Sequence, residues 1–453
     1  MCKLIPVLLL CLLLTACGSA APTSTPEPTA APTPAPEATL EPVAAETAAA
    51  DMFGFDAGES ADLPKLAFSE AAEKVRSDSE AVYLFAANVG KGDALILRHG
   101  DWIGLIDTGK TWARGRVDQA LALMGSDYSS ESSYRLDAVF LTHTDDDHVG
   151  GLKWMTVNDG RIDNRSIEAL YASAMYTGVK EGKHPAVKAA NSLGMSGTWL
   201  KRGDEIPLGD TGAVLKVLAP ASRYTDKDDN NSLVMLLESP QGKILLAGDM
   251  ELPEEAELLG LGDDLKCAVL KVPNHGDDDT TSAAFAGACA AQIALISTDS
   301  QEKPDTPDPG VVSRLEAAGS RVVATEDSGM GILVTLKNGT ATAEAVDFPY
   351  PAVSGLSIAE VDASDDRITL QNTSDQGIGL QGMYLYSDKG GEMYVFADES
   401  LDPGATLTVG TNTTKGDYDL LWDDKKVINK KKTDIICLYD AWGRIVDWMD
   451  NGE

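Results

Sequence analysis

The sequence predicts an α/β body followed by a smaller all-β domain, and three observations support this division. Between about residues 78 and 346, strand-like apolar runs alternate with helical patterns, which is typical of an α/β fold. After Pro349 and Pro351 only short strand-like runs separated by turns remain, which indicates a β-sandwich. The first 77 residues hold little that could form a core, because a short apolar run gives way to a segment rich in proline, threonine and alanine.

The chain begins with the features of an export signal. Lys3 supplies a positive charge, and the apolar run at residues 4–14 is too short to span a bilayer. The sequence L-T-A-C at residues 14–17 resembles a bacterial lipobox, and the resemblance implies attachment of diacylglycerol to Cys17. An ordinary secretory signal that contains a cysteine is the alternative. We expect a lipoprotein signal peptide over residues 1–16, a disordered tether over residues 17–77 and an extracytoplasmic protein anchored through Cys17 to the bacterial cell membrane.

The composition favours an exported globular protein over one that binds polyanions. The 71 Asp and Glu residues outnumber the 37 Lys and Arg residues, which gives a net charge of -34. Such a chain repels nucleic acid and anionic lipid at long range. Cys267 and Cys289 allow either a disulfide outside the cell or two buried free thiols, and no C-x-x-C pattern indicates a zinc site built from thiolates.

The apolar patterns predict the elements of the body. A short helix is predicted within residues 66–76, and further helices at residues 117–124, 187–193 and 311–317. Strands are predicted at residues 83–88, 95–97, 102–106, 138–141, 169–174, 214–218 and 244–246. Several of these strands lead into clusters of polar residues, and those clusters carry the functional prediction.

The most informative cluster is H-T-D-D-D-H, from His143 to His148, which follows the strand at residues 138–141. Two of the five histidines in the chain fall within these six positions. A tight turn after a buried strand brings alternate side chains together, as a site for two metal ions requires. An acidic surface loop with two unrelated histidines is the alternative interpretation.

The string L-T-H-T-D-D-D-H-V-G-G-L resembles the H-x-H-x-D-H signature of the metallo-β-lactamase superfamily. More narrowly, it resembles the H-x-D-x-D-H form found in the hydrolase domain of ComEC-type DNA-uptake proteins. The resemblance extends over about residues 80–345. It implies a metallo-β-lactamase αββα sandwich for the hydrolase domain, which we place at residues 78–346.

Two acidic positions near the start of the body match supporting residues of this family. The strings N-V-G-K-G-D-A at residues 88–94 and D-T-G at residues 107–109 resemble its V-G-Q-G-D-A and L-I-D-T-G, with Lys91 at the usual glutamine position. The glycines permit sharp turns that let Asp93 and Asp107 approach the histidine turn. The resemblance implies that both carboxylates support the metal ligands. A hairpin with acidic turns is the alternative.

Two later motifs supply further candidates. The strings N-N-S-L-V at residues 230–234 and I-L-L-A-G-D at residues 244–249 resemble N-x-x-S-L-V and F-L-L-T-G-D, and K-V-P-N-H-G at residues 271–276 resembles K-V-x-H-H-G. The resemblance implies that Asp249 bridges two cations and that His275 binds one. It also implies catalytic roles for Asn231 and Lys271, although Lys271 is equally consistent with a strand at the edge of the core.

The sequence departs from the family at two places. Asn274 stands where the family carries the first histidine of H-H-G, and residues 304–309 contain no histidine where the family often carries G-H-P-x-P. Either Asp305 or Asp308 replaces that histidine as a ligand or proton carrier, or such an aspartate caps the helix that follows. His99 and His184 match no motif, and we expect both in exposed loops.

The resemblance therefore implies a centre that holds two divalent metal ions, zinc or manganese. The implied ligands are three imidazoles and three carboxylates: His143, Asp145, Asp147, His148, Asp249 and His275. Asp147 is also expected to act in catalysis, together with Lys271 and Asn231. Bound metal lowers the pKa of water to about 7, so that a metal-bound hydroxide is available at neutral pH. Asp in place of His at position 145 makes one half of the site harder, which favours manganese or a mixed site.

The carboxy-terminal region resembles the lamin-tail domain. Strand-like runs occur at residues 368–370, 383–386, 394–396, 407–409 and 435–439. The strings I-T-L-Q-N-T-S-D, L-Q-G-M-Y-L, L-D-P-G-A-T-L-T-V and L-W-D-D-K-K-V-I-N-K-K-K carry the resemblance. It implies an immunoglobulin-like all-β sandwich over residues 353–450 that binds a surface partner or acts as a spacer. The lysines at residues 425–432 bind a polyanion or form a solvated loop, and we expect Trp422 and Trp442 in the core or at its rim.

These assignments predict a surface-anchored, metal-dependent hydrolase that cleaves a phosphodiester in DNA or in a cell-wall polymer. The resemblance to ComEC-type domains implies nuclease activity, whereas the acidic composition disfavours a long DNA track. The alternative is a surface binding or scaffold protein with a degenerate site. Asp145, Asn274 and the missing late histidine support that alternative.

Overall fold

The computed structural model of the protein describes residues 63–125, 135–156 and 166–452. The predicted signal peptide, the lipidation site Cys17 and the tether as far as residue 62 lie outside these ranges. Within the described ranges, no helix combines the length and the apolarity needed to cross a membrane.

The body is built from short strands and helices. Its strands are β1 (Lys65–Ala67), β2 (Val82–Ala87), β3 (Leu95–His99), β4 (Trp102–Ile106), β5 (Arg135–Leu136), β6 (Ala138–Leu141), β7 (Ser166–Ile167), β8 (Leu170–Ser173), β9 (Thr198–Leu200), β10 (Glu205–Pro207), β11 (Val214–Ala219), β12 (Val234–Ser239), β13 (Gly242–Leu246), β14 (Val269–Lys271), β15 (Ile293–Ile296), β16 (Arg321–Ala324), β17 (Gly331–Lys337) and β18 (Thr340–Asp347). Its helices are α1 (Phe68–Ser77), α2 (Arg114–Leu123), α3 (Asp146–Val149), α4 (Leu152–Met155), α5 (Pro185–Leu193), α6 (Leu252–Leu261), α7 (Ala283–Cys289) and α8 (Pro309–Ala317).

Two sheets pack face to face between two layers of helices. The first sheet has the strand order β1-β18-β17-β2-β3-β4-β6-β8-β9, and the second has the order β10-β11-β12-β13-β14-β15-β16. Buried apolar side chains fill the space between the sheets, among them Leu84 and Leu97 of the first and Leu237 of the second. Helices α1, α2 and α5 cover the outer face of the first sheet, and α6, α7 and α8 cover that of the second. The predicted αββα sandwich is confirmed.

Residues 65–77, which the sequence analysis assigned to the tether, belong to the body. Strand β1 pairs in parallel with β18, and Ala71, Ala72 and Val75 of α1 are buried against the first sheet. The short helix predicted within residues 66–76 is therefore present. The tether boundary at residue 77 was wrong, because one face of this helix is apolar and covers the sheet.

The two histidines without a motif are buried, so their expected placement in exposed loops was wrong. His99 ends β3, and His184 precedes α5. The Nδ1 atom of His184 accepts a hydrogen bond from the backbone N–H of Ala186 (3.2 Å), which caps the helix. The imidazole also packs against the rings of Tyr176 and Trp199, with centroid distances of 4.5 and 4.9 Å. A polar ring thus replaces the usual Ser, Thr or Asp at this helix start.

The ends of parallel strands bring the candidate site residues to one edge of the sandwich. In the first sheet β4 and β6 are parallel, and Asp107 and His143 follow them. In the second sheet β13 and β14 are parallel, and Asp249 and His275 follow them. Because the carboxyl ends of parallel strands lie at the same edge, this topology gathers residues that are far apart in the chain.

The carboxy-terminal region is a second β-sandwich, called here the C-terminal sandwich (residues 353–450). Its strands are β19 (Leu356–Asp362), β20 (Arg367–Asn372), β21 (Ile378–Gly379), β22 (Tyr384–Ser387), β23 (Met393–Val395), β24 (Ser400–Leu401), β25 (Thr406–Thr411), β26 (Leu420–Trp422), β27 (Ile435–Tyr439) and β28 (Ile445–Asp450). Sheets of order β19-β20-β25-β26 and β23-β22-β27-β28 enclose a core that includes Leu370, Phe396 and Trp422. The predicted all-β architecture is confirmed.

The C-terminal sandwich packs on α2 and on the turn before it. The ring of Trp112 stacks on that of Tyr439, with 5.7 Å between centroids, and the Tyr384 hydroxyl donates a hydrogen bond to the Trp112 carbonyl (2.7 Å). Gly115 permits a close backbone approach, since a Cβ there would lie 2.4 Å from the backbone N of Gly443. Aromatic contact and backbone complementarity therefore fix this docking.

Arg116 of α2 connects the C-terminal sandwich to the loop at residues 88–93. Its Nε donates a hydrogen bond to the Gly443 carbonyl (3.1 Å), and its Nη1 donates to the Asn88 carbonyl (2.5 Å). Burial lowers the pKa of this guanidinium, and its hydrogen bonds compensate for part of the desolvation. The single side chain of Arg116 thus holds both domains at their contact.

Candidate metal centre

Three imidazoles from distant parts of the chain meet at the edge where the strands end. The Nε2 atoms of His148 and His275 are 3.3 Å apart, and the ring centroids of His143 and His148 are 4.2 Å apart. All three side chains are completely buried. Such a cluster has the donor type and the spacing of a transition-metal site.

Two of these imidazoles are held by hydrogen bonds at Nδ1, which leaves Nε2 facing the centre. His148 Nδ1 lies 2.7 Å from Oδ2 of Asp107, and His275 Nδ1 lies 2.7 Å from the carbonyl oxygen of Ser297. Both partners are acceptors, so Nδ1 keeps its proton and Nε2 is the nitrogen that would bind a metal. This arrangement fixes the tautomer and the ring orientation that metal binding requires.

His143 is oriented through a hydroxyl group. The Thr142 Oγ1–H donates a hydrogen bond to Asp107 Oδ2 (2.7 Å), so the hydroxyl oxygen accepts from His143 Nδ1 at 3.0 Å. Asp107 therefore supports two imidazoles, one directly and one through Thr142. This is the supporting role that the sequence predicted for Asp107.

Asp249 lies among the three imidazoles. Its Oδ2 atom is 3.1 Å from His148 Nε2, 3.2 Å from His275 Nε2 and 3.8 Å from His143 Nε2. Burial opposes its ionisation, but His148 and His275 hold the pKa of Asp249 well below its usual value. A charged carboxylate in this position is able to bind two cations, one on each oxygen.

Asp147 extends the centre toward the loop at residues 88–93. Its Oδ2 atom is 3.7 Å from His275 Nε2 and 3.3 Å from the Nζ of Lys91. Burial raises the pKa of Asp147, but the nearby His148 and His275 have the larger combined effect and lower it to about 2. Burial lowers the pKa of Lys91, but the carboxylates of Asp147 and Asp249 have the larger effect and raise it. An ammonium group therefore lies at the mouth of the centre.

Asp145 lies on the solvent side of the centre. It is exposed, unlike the histidines. Ligand atoms of His143, Asp145 and Asp229 all lie within 4.8 Å of one another. The structure thus brings together all six predicted ligands and adds a seventh candidate ligand, the carboxylate of Asp229.

Backbone strain is concentrated at this edge. Asp107, Asn274 and His275 have φ angles of 56, 42 and 53°, in the left-handed region that non-glycine residues rarely adopt. Strain of this kind persists where the surrounding structure enforces it, and it is common at functional sites. Gly92 allows another close approach, because a Cβ there would lie 2.6 Å from the backbone O of Asp147.

The predicted catalytic role of Lys271 was wrong, because its side chain points into the interior and not into the centre. Its side chain is completely buried, and its Nζ pairs with Asp93 Oδ2 at 2.8 Å. The same Nζ donates to the Val272 carbonyl (2.9 Å). Burial raises the pKa of Asp93, but the charge of Lys271 beside it lowers the pKa below its usual value. The pair stabilises the strand end beneath the centre, and Lys91 is the lysine at its mouth.

Asn231 also has a structural position rather than a catalytic one. It is completely buried, its Oδ1 accepts from the backbone N–H of Tyr224 (2.8 Å), and its Nδ2 donates to the Tyr224 carbonyl (3.0 Å). Because both ends of the amide are used, Asn231 cannot reach a substrate. The loop at residues 224–231 is held in place by this side chain.

The residues at which the sequence departs from the family have other roles. Asn274 Nδ2 donates to Asp279 Oδ1 (3.3 Å). Asp308 caps α8, with Oδ1 accepting from the backbone N–H of Val311 (3.0 Å). Asp305 is exposed. The capping interpretation is therefore correct for Asp308.

The geometry fits metal ions better than it fits a metal-free polar cluster. Within the described part of the chain, the buried His143 Nε2 and Asp249 Oδ1 have no hydrogen-bond partner, although unsatisfied buried polar atoms are costly. Two overlapping groups of potential ligands share His148: His143, His148 and Asp249 form one, and Asp147, His148 and His275 form the other. Imidazole and carboxylate donors suit zinc, manganese or iron.

Sequence reasoning missed Lys91 and Asp229 as site residues. Lys91 replaces the glutamine of the family motif, and that replacement was the available signal. Asp229 immediately precedes the N-N-S-L-V string, but nothing in its neighbourhood distinguishes it from Asp226 or Asp228. Only the fold shows which of these carboxylates faces His143.

Two family models match the chain. Residues 87–158 match the metallo-beta-lactamase superfamily, and residues 349–453 match the lamin tail domain. The protein therefore contains a metallo-beta-lactamase domain followed by a lamin tail domain, as the motifs predicted. The first of these memberships supports a metal-dependent hydrolase in general terms.

The chain is 26% identical over 258 residues to Competence protein ComA of Neisseria gonorrhoeae, a match that covers 57% of this chain and 32% of that protein. It is 27% identical over 254 residues to ComE operon protein 3 of Bacillus subtilis, which covers 53% of this chain and 31% of that protein. It is 26% identical over 246 residues to Recombination protein 2 of Haemophilus influenzae, which covers 53% of this chain and 27% of that protein. The chain thus spans less than a third of the length of these relatives.

Solved structures are also among the proteins that the chain matches. The metallo-beta-lactamase fold protein YhfI of Bacillus subtilis is 11% identical with a TM-score of 0.33, and the match covers 57% of this chain and 98% of that chain.

Proposed function

We propose that this protein is a metal-dependent phosphodiesterase. The observation that carries the proposal is the position of Asp249, whose Oδ2 lies within 3.8 Å of the Nε2 atoms of His143, His148 and His275. A divalent cation at such a site lowers the pKa of water, so that water attacks a phosphorus centre at neutral pH. The protein supplies the oriented imidazoles and carboxylates that this chemistry needs.

Lys91 favours a phosphodiester over an uncharged substrate. Its Nζ lies 3.3 Å from Asp147 Oδ2 and remains partly accessible, with the side chain 21% exposed. A phosphodiester carries one negative charge, and the charge on its oxygens grows during attack. An ammonium at the mouth stabilises that charge in the transition state more than in the substrate.

Nucleic acid is the first substrate class to test. The relatives named for competence and recombination support this choice. The cleft beside the centre is nevertheless acidic, since Asp145, Asp146, Asp226 and Asp228 line it. These charges repel a long polyanion, so we expect cleavage of short or single-stranded ends in preference to long duplexes.

A cell-wall phosphodiester is the second candidate, and the same acidic cleft favours it. A diester polymer that carries cationic substituents would be attracted to Asp145, Asp146, Asp226 and Asp228. Comparison of a labelled oligonucleotide with a zwitterionic phosphodiester, at low and at high salt, separates the two substrate classes. Higher salt raises the rate on the polyanion and lowers it on the zwitterionic diester if the cleft acts as proposed.

The test of the function is hydrolysis of bis(p-nitrophenyl) phosphate by protein reconstituted with manganese or zinc. We expect Asp249→Asn and Asp147→Asn to lower kcat/KM by more than about a hundredfold, beyond the effect typical of residues that only support ligands. Asp305→Asn, a change of the same kind at an exposed position outside the centre, is the matched control. Full turnover by the chelator-treated protein or by Asp249→Asn would overturn the proposal. A protein that neither binds metal nor hydrolyses any diester would instead support the binding or scaffold alternative.

A further inference from the structure

The six ligands that the sequence predicts do not divide evenly around the centre. Asp147, His148 and His275 have ligand atoms close enough to hold one cation. With His148 assigned to that cation, His143 and Asp145 are the predicted ligands that remain on the other side, besides the shared Asp249. A third donor on that side would complete the half-site, and Asp229 has the required position.

Asp229 begins a short 3₁₀ helix, Asp229–Asn231, that lies against the histidine turn. Its carboxylate, that of Asp145 and a ring nitrogen of His143 all lie within 4.8 Å of one another. Three atoms at this spacing are able to contact one cation placed between them. Asp145 and Asp229 come from loops more than eighty residues apart, so this convergence is a product of the fold.

The donors of this half-site have no other partner in the described part of the chain. The buried His143 Nε2 has no hydrogen bond, and the side chains of Asp145 and Asp229 have neither a hydrogen bond nor an ion pair there. Two carboxylates that face each other without a cation repel one another. A bound cation would satisfy all three groups at once.

The residues around Asp229 hold its loop in place and leave its own carboxylate free for a ligand. Asp228 Oδ2 accepts from Thr144 Oγ1 (2.6 Å) and Thr144 N (3.1 Å), and its Oδ1 accepts from Thr177 N (2.6 Å). Asn230 Nδ2 donates to Glu251 Oε2 (2.7 Å). Both neighbours of Asp229 are therefore bound to other parts of the body, which positions the residue between them with little freedom.

We propose that Asp229 is a metal ligand that completes a half-site with His143 and Asp145, with Asp249 shared between the two halves. This inference rests on the metal centre of the proposed function. The Asp229 half-site has one imidazole and a majority of carboxylates, whereas the other half-site has two imidazoles. Harder oxygen donors favour manganese or magnesium and imidazole favours zinc, so the two halves differ in metal preference.

The test is metal binding by the full chain, measured as metal content after dialysis and as dissociation constants by calorimetry. We expect wild-type protein to bind about two equivalents of Mn²⁺, and Asp229→Asn to weaken one of the two sites by at least about tenfold. In Asp229→Asn, the other half-site, formed by Asp147, His148 and His275, should keep its Zn²⁺ affinity within about twofold. Asp229→His should shift the altered half-site from Mn²⁺ toward Zn²⁺, because it replaces an oxygen donor with a nitrogen donor.

Asp226→Asn is the matched control, because Asp226 lines the same cleft and lies outside every potential ligand group of the described residues. It removes the same charge three positions away, so an unchanged Mn²⁺ affinity separates ligation from general electrostatics. Two Mn²⁺ sites of wild-type affinity in Asp229→Asn would overturn the role of Asp229 and leave the metal centre intact. Absence of bound metal in the wild-type protein would overturn both proposals.

Discussion

Asp107 is the residue on which the orientation of two imidazoles depends. Its Oδ2 accepts from His148 Nδ1 and from Thr142 Oγ1, which in turn contacts His143. Asp107→Asn keeps the shape and tolerates the left-handed backbone at φ 56°. The amide is able to donate to His148 Nδ1, which moves the imidazole proton to Nε2 and blocks the lone pair that binds metal.

We therefore expect Asp107→Asn to weaken metal binding by about 10–100-fold. Calorimetric titration with Zn²⁺ measures the change, and the melting temperature of the metal-free variant shows whether the fold is retained. An unchanged dissociation constant would mean that the imidazole orientation does not depend on Asp107.

The lysines show where prediction from sequence fails at the residue scale. Both Lys91 and Lys271 lie in family motifs. A motif does not reveal whether a long side chain at the end of a strand points into the interior or toward the metal centre. Lys271 points into the interior and pairs with Asp93, whereas Lys91 reaches Asp147. The histidines and Asp249 were predictable because their short side chains follow the direction of the strand ends that carry them.

At the scale of single elements, the start of α5 makes stability depend on pH. Burial of His184, only partly offset by Asp228, lowers its pKa to about 4. The unfolded chain has a histidine pKa near 6.5 and binds a proton between these two values, whereas the folded chain does not. The stability that His184 contributes by staying neutral is therefore fully present above about pH 6.5 and is lost as the pH falls toward 4.

His184→Asn retains a residue that caps helices well and removes the titrating group. We expect the variant to lose less stability than the wild type between about pH 6.5 and 4, by at most about 1.4 kcal/mol per pH unit. Denaturant unfolding of both proteins across that range measures the difference. Parallel stability curves would show that folding does not lower the pKa of His184.

The type and order of the elements could largely be predicted, but their partners could not. The helix at Arg114–Leu123 and the strand at Trp102–Ile106 follow from apolar spacing within one segment. The pairing of Lys65–Ala67 with β18 joins residues about 280 positions apart, and no local pattern specifies it. The tether boundary was wrong for this reason.

At the scale of the whole molecule, the two domains act as one folded unit through the contact at Gly115. Ala in place of Gly normally stabilises a helix by about 1 kcal/mol. A Cβ at Gly115 would meet the backbone N of Gly443 at 2.4 Å and the Ala441 carbonyl oxygen at 2.9 Å. Backbone atoms cannot move aside as a flexible side chain does, so Gly115→Ala must displace the C-terminal sandwich.

We expect Gly115→Ala to destabilise the protein by about 1–3 kcal/mol. Gly287→Ala is the matched control, because Gly287 lies in helix α7 and a Cβ added there would meet no neighbouring atom of the described chain within 4 Å. That change should stabilise the protein. Denaturant unfolding of the two variants tests the opposite signs. Stabilisation by both changes would show that the close backbone approach at Gly115 is not needed for stability.

Arg116 fixes the orientation of the C-terminal sandwich relative to the body. By holding the Gly443 carbonyl and the Asn88 carbonyl at the same time, it prevents the C-terminal sandwich from swivelling against the loop that carries Lys91. Two domains joined by a flexible linker sample many relative orientations, whereas these two domains keep one. The opening beside Lys91 therefore keeps a constant angle and distance to the C-terminal sandwich, so any molecule bound to both domains would have to match that spacing.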